Sequence, residues 1–232
     1  MGASGLDGLW RHRKLPPNPT RRQSAEWLHE SCARALAALQ IPVTLIGAPP
    51  TEGLVVSNHL SYLDIVAFSA ALPCVFVSKA EVEDWPIFGR YARWAGSVFV
   101  RRHDRPDAAR ANTAIDDALR NGVPVVLFPE GTTTDGSQVL RFHSTMLQPA
   151  IEVAAPITPA AIAYTLQDGD VAQEVCWWGE MTFLPHLLNL LGKQDLRVVI
   201  AFGSPIAPCG DRKQLSERLH DEVVRLQRMV QS

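Results

Sequence analysis

A histidine and an aspartate stand five positions apart in the run Val-Val-Ser-Asn-His-Leu-Ser-Tyr-Leu-Asp of residues 55–64. The run starts as a buried strand would, so His59 follows a predicted strand and Asp64 falls in the first turn of the next helix. A carboxylate that holds one nitrogen of an imidazole leaves the other nitrogen to act as a general base. Ser61-x-x-Asp64 also fits a capping box, which only stabilises a helix start. The two roles are compatible, since such a carboxylate can still face the preceding loop.

A second run whose residue types could take part in a reaction is Phe-Pro-Glu-Gly-Thr at residues 128–132. It comes about 70 residues later and lies at the end of another predicted strand. Gly131 permits a tight turn with exposed backbone N–H groups, and such a turn can hold an anion or a substrate oxygen. A plain surface turn is the alternative reading of Glu130 and Gly131.

Basic side chains follow two further predicted strands. Arg102, beside Arg101, comes after the strand that ends at Val100, and Lys79 comes after the one that ends at Val77. An arginine can clamp a phosphate through two hydrogen bonds. The alternative is that these cations are solvated surface residues.

The elements that must position these residues alternate between strands and helices. Apolar runs predict strands at Val43–Ile46, Leu54–Ser57, Val75–Val77, Val98–Val100, Val123–Phe128, Ile157–Tyr164 and Leu196–Phe202. Helical spacing predicts helices at 24–40 (with Ser24 as N-cap), 63–72, 106–120, 146–153 (interrupted by Pro149), 185–191 and 213–229, with helical turns between 80 and 94.

This order predicts an α/β fold: a single domain with a mainly parallel central sheet, helices on both faces and an N-terminal helical appendage. In open α/β sheets, sites form beyond the carboxyl ends of the strands. His59, Arg102 and Glu130 each lie just beyond such an end, so we expect them to share one site.

We expect three segments: a basic, flexible leader (1–23), an amphipathic helix (24–41) and the main domain (42–232). Residues 1–24 carry five basic residues against one acidic residue, although the whole chain has a formal charge of −2. The overall charge argues against a nucleic-acid-binding protein. The leader is suited to anionic lipid headgroups, or is a disordered, solvated tail.

No run of 18 apolar residues and no secretory h-region occurs in the sequence. Four cysteines are scattered without metal or redox spacing, and no metal site is predicted. We therefore expect a peripheral, monotopic protein on the cytoplasmic face of the membrane. Trp177 to Leu191 is rich in aromatic and aliphatic residues, and this stretch fits plain core, an acyl-chain tunnel or a membrane-surface helix. Trp85 to Phe88 carries the same ambiguity.

Together these runs resemble the signature of the glycerolipid acyltransferases, the family of bacterial 1-acyl-glycerol-3-phosphate acyltransferases. His59 to Asp64 matches the family's His-x4-Asp block, and Phe128 to Thr132 matches its Phe-Pro-Glu-Gly-Thr block. Gly96 to Arg102 is similar to the Gly-x-x-Phe-Ile-x-Arg block, with Val100 for Ile, and Ile157 to Pro159 is similar to the Val-x-Pro block. The similarity covers roughly residues 50–205.

The resemblance implies transfer of a fatty acyl group from acyl-coenzyme A or acyl carrier protein to the free hydroxyl of a lysolipid, without a metal, a cofactor or an acyl-enzyme. The acceptor expected first is 1-acyl-sn-glycerol-3-phosphate, which gives phosphatidic acid. In the roles that the resemblance implies, His59 is the base and Asp64 orients it. Arg102 and Lys79 clamp the phosphate. The acceptor-binding turn consists of Glu130, Gly131 and Thr132.

Two departures weaken the case for a phosphate-bearing acceptor. Thr133 stands where many members have arginine, and His143 stands where a lysine often follows the phenylalanine. A lyso-ornithine lipid or another lysophospholipid is therefore the alternative acceptor. A non-catalytic protein that binds lipid or acyl carrier is the second alternative. A lipid hydrolase is disfavoured because no Gly-x-Ser-x-Gly elbow occurs.

Overall fold

The computed structural model describes residues 16–79, 98–100, 105–208 and 210–231. Its helices are α1 (Arg21–Ala38), α2 (Leu63–Ala71), α3 (Arg105–Arg120), α4 (Gln148–Glu152), α5 (Val171–Glu174), α6 (Phe183–Leu191) and α7 (Arg212–Gln231), with a 3₁₀ turn at Ser144–Leu147. Its strands are β1 (Val43–Ile46), β2 (Leu54–Ser57), β3 (Val75–Lys79), β4 (Val98–Val100), β5 (Val125–Leu127), β6 (Ile157–Thr165) and β7 (Arg197–Phe202). The leader up to residue 15 and the turns expected between 80 and 94 lie outside the described residues.

The strands form one sheet in the order β1-β7-β6-β2-β5-β3-β4. Neighbouring strands are parallel except for β6 and β7, which pair antiparallel. The central strand β2 lies between β5 and β6, with Val56 opposite both Leu127 and Pro159. The carboxyl ends of β2 and β5 therefore meet at one edge of the sheet, and the predicted fold class is confirmed.

The core lies on both faces of the sheet because alternate residues of a strand point to opposite sides. Val55 of β2 packs with Trp27, Phe68 and Leu190, which belong to α1, α2 and α6. Its neighbours Leu54 and Val56 pack on the other face, with a set of α3 and α7 residues that includes Ile115, Leu119, Leu219 and Val223. All four residues of β2 are buried, as the apolar run Leu-Val-Val at its start predicts.

Helix α1 starts earlier than predicted. Thr20, and not Ser24, is its N-cap: the Thr20 hydroxyl accepts from the Gln23 N–H, and the Gln23 side chain accepts from the Thr20 N–H. Ser24 is instead buried within the helix. Trp27 and Leu28 are buried in the core, so the apolar stripe of α1 is a packing face. The expected division of the chain at residues 23 and 41 stays a prediction.

Helix α2 lacks the reciprocal capping box that Ser61 and Asp64 suggested. Its N-cap is Tyr62, which makes no capping bond through its side chain. Asp64 reaches back to the Ser61 N–H at 3.1 Å, but the buried Ser61 hydroxyl bonds to nothing in the described part of the chain. Half of the motif is therefore present, and the carboxylate of Asp64 serves the loop that precedes the helix.

Two shorter features complete the fold. The interrupted helix expected at 146–153 is a 3₁₀ turn followed by α4, with Pro149 in the first turn of α4, where proline is tolerated. The four-residue α5 was not predicted. Within the described ranges, we find no helix with both the length and the apolar composition needed to cross a bilayer.

Candidate active site

The ends of β2 and β5 bring the two sequence runs into direct contact. The backbone N–H of His59 donates to Glu130 Oε1 at 2.8 Å. The backbone carbonyl of His59 accepts from the Thr134 N–H at 3.0 Å. The predicted meeting of the His59 run and the Glu130 run at one sheet edge is thus observed.

The His59 ring is held by Asp64. Its Nδ1 lies 2.6 Å from Asp64 Oδ2. Asp64 is fully buried, whereas the His59 side chain is 19% exposed. The same Oδ2 accepts from the backbone N–H groups of Leu60 and Ser61 at 2.7 and 3.1 Å. The carboxylate is therefore fixed in place before any substrate arrives.

The geometry sets the proton positions on the ring. A carboxylate can only accept hydrogen bonds, so a neutral His59 carries its proton on Nδ1 and has its lone pair on Nε2. Among the residues that the structure describes, none hydrogen-bonds Nε2. The ring therefore has one nitrogen committed to Asp64 and one basic nitrogen at a partly exposed position.

Tyr164, near the end of β6, is a site residue that the sequence reasoning missed. Its hydroxyl donates a short hydrogen bond to Oδ1 of Asp64. Burial raises the pKa of Tyr164 well above its ordinary value, and the charge of Asp64 raises it further, so the phenol stays protonated as a donor. A buried tyrosine in a mostly apolar strand needs a polar partner, which is the signal that could have found it.

Phe128 supports the other side of the imidazole. The two rings stack with centroids 4.0 Å apart and planes inclined by 9°. Phe128 is itself buried and packs edge-on against Phe68. The hydrogen bond to Asp64 and the stack on Phe128 together restrict both the position and the tilt of the ring.

Asn58 locks the end of β2 to β6 and was also missed. Its side-chain amide donates to the Ile162 carbonyl at 3.0 Å and accepts from the Ile162 N–H at 2.9 Å. This pair of bonds ties the residue before His59 to the strand that carries Tyr164.

Glu130 lies behind His59 and is only 4% exposed. Its Oε1 accepts from the His59 N–H, and its Oε2 accepts from the Leu140 N–H at 2.6 Å. Burial raises the pKa of Glu130 to about 7, against the opposing effect of these two hydrogen bonds. In this position Glu130 connects the loop that contains His59 with the loop that contains Leu140. Its expected role in holding the acceptor stays a prediction.

The turn after Glu130 is open to solvent in part. Gly131 has φ of +79°, a backbone conformation that favours glycine, and its N–H donates to the Phe128 carbonyl at 3.1 Å. Thr132 is exposed and Thr133 is half-buried. Contact of Gly131 and Thr132 with an acceptor remains a prediction.

Most of the expected phosphate clamp, Lys79 and Arg102, lies outside the part of the chain that the structure describes. Lys79 ends β3, where its backbone pairs with Val100 of β4, and the described part does not include its side chain. Arg102 lies outside the described residues altogether. In the strand order, β4 is three positions from β2, or about 14 Å at the usual spacing of about 4.8 Å.

An aromatic cluster surrounds Tyr62, which lies between His59 and Asp64 in the chain. The Tyr62 ring meets Phe183 and Trp177 edge-on, at centroid distances of 5.1 and 6.2 Å. Its hydroxyl lies 2.9 Å from Nδ1 of the buried His186, whose Nε2 lies 3.0 Å from the Cys176 carbonyl. The stretch Trp177 to Leu191 therefore packs directly against the His59 loop.

The comparison with known families agrees with this geometry. The profile of a family described as "Acyltransferase" matches residues 43–163, more than half of the chain, and this range contains both site runs. The chain belongs to this acyltransferase family. The enzyme class predicted from the sequence, an O-acyltransferase, is confirmed.

Individual acyltransferases resemble the chain over most of its length. A protein of Rhodobacter capsulatus named lyso-ornithine lipid O-acyltransferase is 37% identical over 165 residues, 69% of this chain and 59% of its own length. A protein of Neisseria gonorrhoeae named 1-acyl-sn-glycerol-3-phosphate acyltransferase is 31% identical over 202 residues, 82% of this chain and 76% of its own length. The chain thus spans less than two thirds of the first relative and about three quarters of the second.

A solved structure confirms the acyltransferase fold. The crystal structure of the 1-acyl-sn-glycerophosphate acyltransferase PlsC from Thermotoga maritima matches with a TM-score of 0.67 at 22% identity, covering 98% of this chain and 88% of that chain. At this identity the match establishes the arrangement of strands and helices alone.

Proposed function

We propose that this acyltransferase moves a fatty acyl group from the thioester of acyl-coenzyme A or acyl carrier protein to the hydroxyl of a lysolipid. The hydroxyl oxygen attacks the thioester carbonyl carbon while Nε2 of His59 takes the hydroxyl proton. The C–S bond then breaks, and the leaving thiolate recovers that proton from His59. The products are an ester and a free thiol.

The observation that carries this proposal is the pairing of His59 with the buried Asp64. The pair leaves Nε2 basic and partly exposed, and the carboxylate stabilises the imidazolium that forms when Nε2 takes the proton. A positioned histidine of this kind contributes about 10²–10⁴-fold to a proton-transfer step.

Direct attack by the lipid hydroxyl fits the surroundings better than an acyl-enzyme. A nucleophilic residue must be accessible and readily deprotonated. Ser61, two residues from His59, is fully buried. Cys176 is buried as well, and burial raises the pKa of its thiol to about 12. Neither side chain is therefore suited to hold the acyl group.

Lyso-ornithine lipid is the acceptor we favour. Its headgroup carries a carboxylate and an amine, so it needs fewer cations than a phosphate monoester does. Thr133 and His143 stand at the two positions where the sequence resemblance led us to expect arginine and lysine. The Rhodobacter capsulatus relative also carries this name.

The second candidate acceptor is 1-acyl-sn-glycerol-3-phosphate, the one expected first from the sequence. Lys79 is the last residue of β3, and Arg102 comes two residues after β4 in the sequence. Both strands run parallel to β2 toward the site edge. A phosphate group could be held by these two cations. The Neisseria gonorrhoeae relative is named for this acceptor.

An acceptor panel tests the proposal. The protein is incubated with radiolabelled acyl-coenzyme A or acyl carrier protein and with each lysolipid in turn, and the lipid products are separated. We expect labelled ornithine lipid, with kcat/KM at least about tenfold above that for the phosphate acceptor, or about 1.4 kcal/mol of discrimination. The reverse order would select 1-acyl-sn-glycerol-3-phosphate. Labelled fatty acid alone, or no turnover with any lysolipid, would refute acyl transfer.

The site must also reach a bilayer, because both candidate acceptors are lipids. We therefore retain the expected location, a peripheral, monotopic protein at the cytoplasmic face of the membrane, as part of this proposal.

A further inference from the structure

Helix α6 presents two exposed leucines on its outer side. Leu184 and Leu188 are 61% and 63% exposed, the highest values among the large hydrophobic residues that the structure describes as exposed. They are four residues apart and so lie one above the other on the helix. We call these two residues the leucine face.

The opposite side of α6 is fixed to the protein. His186 and Leu190 are buried. Each follows one of the exposed leucines by two residues, and two residues correspond to a rotation of about 200° around the helix axis. His186 is hydrogen-bonded to Tyr62 and to the Cys176 carbonyl, while Leu190 belongs to the core. The leucine face is therefore held outward by a rigid attachment, and it does not line an interior tunnel.

The helix carries no fixed charge. Residues 183–191 read Phe-Leu-Pro-His-Leu-Leu-Asn-Leu-Leu, with no aspartate, glutamate, lysine or arginine. Burial lowers the pKa of His186, which keeps that ring neutral at physiological pH. An apolar environment can thus cover the outer side of α6 without burying an ion.

We infer that α6 docks the enzyme on a lipid bilayer by inserting Leu184 and Leu188 among the acyl chains next to the His59 site. The inference rests on the proposed function, since it is the lipid acceptor that requires such a contact.

The position of α6 relative to the site supports a bilayer as the occupant. Phe183, at the start of the helix, packs on Tyr62, and Tyr62 lies within the loop that connects His59 to Asp64. A bilayer in contact with the leucine face therefore lies beside the loop that carries the base. A lysolipid could move from the bilayer to Nε2 without leaving an apolar or interfacial environment.

The size of the surface also favours lipid over a folded protein partner. Nine residues of helix extend about 14 Å, and two projecting side chains are far fewer than the roughly 20–30 residues per side of a stable protein interface. Insertion of a short amphipathic helix into the interfacial zone of a membrane needs no such area.

The test replaces both leucines with glutamine, which keeps helix propensity and removes the apolar side chains. Leu184→Gln/Leu188→Gln and the wild type are floated with phosphatidylcholine vesicles. Turnover is measured with the lysolipid either embedded in those vesicles or dispersed in detergent. We expect the variant to lose vesicle binding and vesicle turnover by about tenfold or more, with turnover on detergent-dispersed lysolipid unchanged.

A matched control removes two other exposed aliphatic residues. Leu45 and Ile46 of the edge strand β1 are each 39% exposed, and Leu45→Thr/Ile46→Thr keeps strand propensity. This pair should bind vesicles as the wild type does. Equal losses in both double variants would overturn the assignment to α6, as would unchanged flotation of the α6 variant. A change in oligomeric mass without a change in flotation would point to a protein contact and would also overturn it.

Flotation needs no acyl donor, so docking and catalysis are separated. A wild-type protein that floats but does not acylate lysolipid in detergent would refute the proposed function and leave docking standing. A protein that acylates in detergent and floats independently of Leu184 and Leu188 would refute docking alone.

Discussion

Tyr164 donates its hydroxyl to the same carboxylate, Asp64, that orients His59. The tyrosine bonds Oδ1 and the histidine bonds Oδ2, so the two side chains do not compete for one oxygen. Because β6 pairs in parallel with β2, with Ala160 opposite Ser57, residue 164 lies farther along β6 toward the edge where His59 emerges. A buried charge is tolerated when its oxygens are hydrogen-bonded, and Tyr164 supplies one of these bonds.

Tyr164→Phe tests this relationship. The ring is kept and only the donor is lost, so no cavity forms, but Oδ1 of a buried carboxylate loses its partner. We expect a loss of about 1–3 kcal/mol in the free energy of unfolding. We also expect turnover to fall by about tenfold, since Oδ2 still holds the imidazole.

Tyr62→Phe is the matched control, measured by denaturant unfolding and by the same assay. Its hydroxyl bonds a neutral His186 instead of a charge, so about 0.5–1.5 kcal/mol should be lost. Equal stability of Tyr164→Phe and the wild type would show that Asp64 does not depend on the tyrosine.

His59→Ala should reduce turnover by about 10²–10⁴-fold, because the base is removed and no other imidazole bonds Asp64 in the described part of the chain. The far-ultraviolet circular dichroism spectrum should be unchanged, since the side chain is at the edge of the sheet. His220→Ala provides a comparison: Nε2 of that ring lies 3.2 Å from the Val139 carbonyl, and its Nδ1 lies 3.6 Å from the exposed carboxylate of Asp221. Near wild-type turnover in His59→Ala would remove the proposed base.

Asp64→Asn separates charge from shape. The amide oxygen can take the place of Oδ2 and the amide nitrogen can face Tyr164, so the loop is preserved while the negative charge is lost. We expect kcat to fall by about a hundredfold or more because the imidazolium is no longer stabilised, with little change in KM. Asp135→Asn, on the neighbouring loop, should leave kcat within a few-fold of wild type. A normal kcat in Asp64→Asn would mean that the carboxylate only holds the loop before α2.

The fold was predictable where composition and spacing agree. Strands β1, β2 and β4 have the predicted bounds. In β2 the apolar run marks residues that are buried on both faces of the sheet. Helix α5 was missed because four residues are too few to show a helical period. The start of α1 was misplaced because Thr20, which follows a proline-rich linker, formed the cap with Gln23.

The site was predictable within each run, and the meeting of the His59 and Glu130 runs was predictable from their places beyond strand ends. His59 and Asp64 could be paired because five residues and one turn separate them. Tyr164 lies 100 residues from Asp64, and the pairing of β6 with β2 is what makes them neighbours. Asn58 depends on the same strand pairing for its bonds to Ile162. A single sequence indicates that strands exist but does not state which strands are adjacent.

The raised pKa of Glu130 predicts how the free energy of unfolding changes with pH. Its pKa is raised from 4.5 to about 7, mainly by burial, so the folded protein holds this proton more tightly than the unfolded chain does. The stabilisation from this proton is therefore complete below pH 4.5 and is lost as the pH rises toward 7. At about 1.4 kcal/mol per pH unit, the loss across these 2.5 units is about 3.5 kcal/mol at most.

Glu130→Gln should remove this pH dependence because an amide does not titrate. It should also lower stability near pH 5, since the amide N–H group would face a backbone N–H of His59 or Leu140 and leave one donor unpaired, at a cost of about 1–3 kcal/mol. Glu152→Gln, an exposed glutamate on α4, is the control whose stability curve should parallel that of the wild type. The measurement is denaturant unfolding of the three proteins between pH 4.5 and 8. If the unfolding free energy of Glu130→Gln fell with pH as steeply as that of the wild type, other groups would cause the pH dependence. The Glu130 carboxylate that accepts from the His59 and Leu140 N–H groups would then be ionised throughout this pH range.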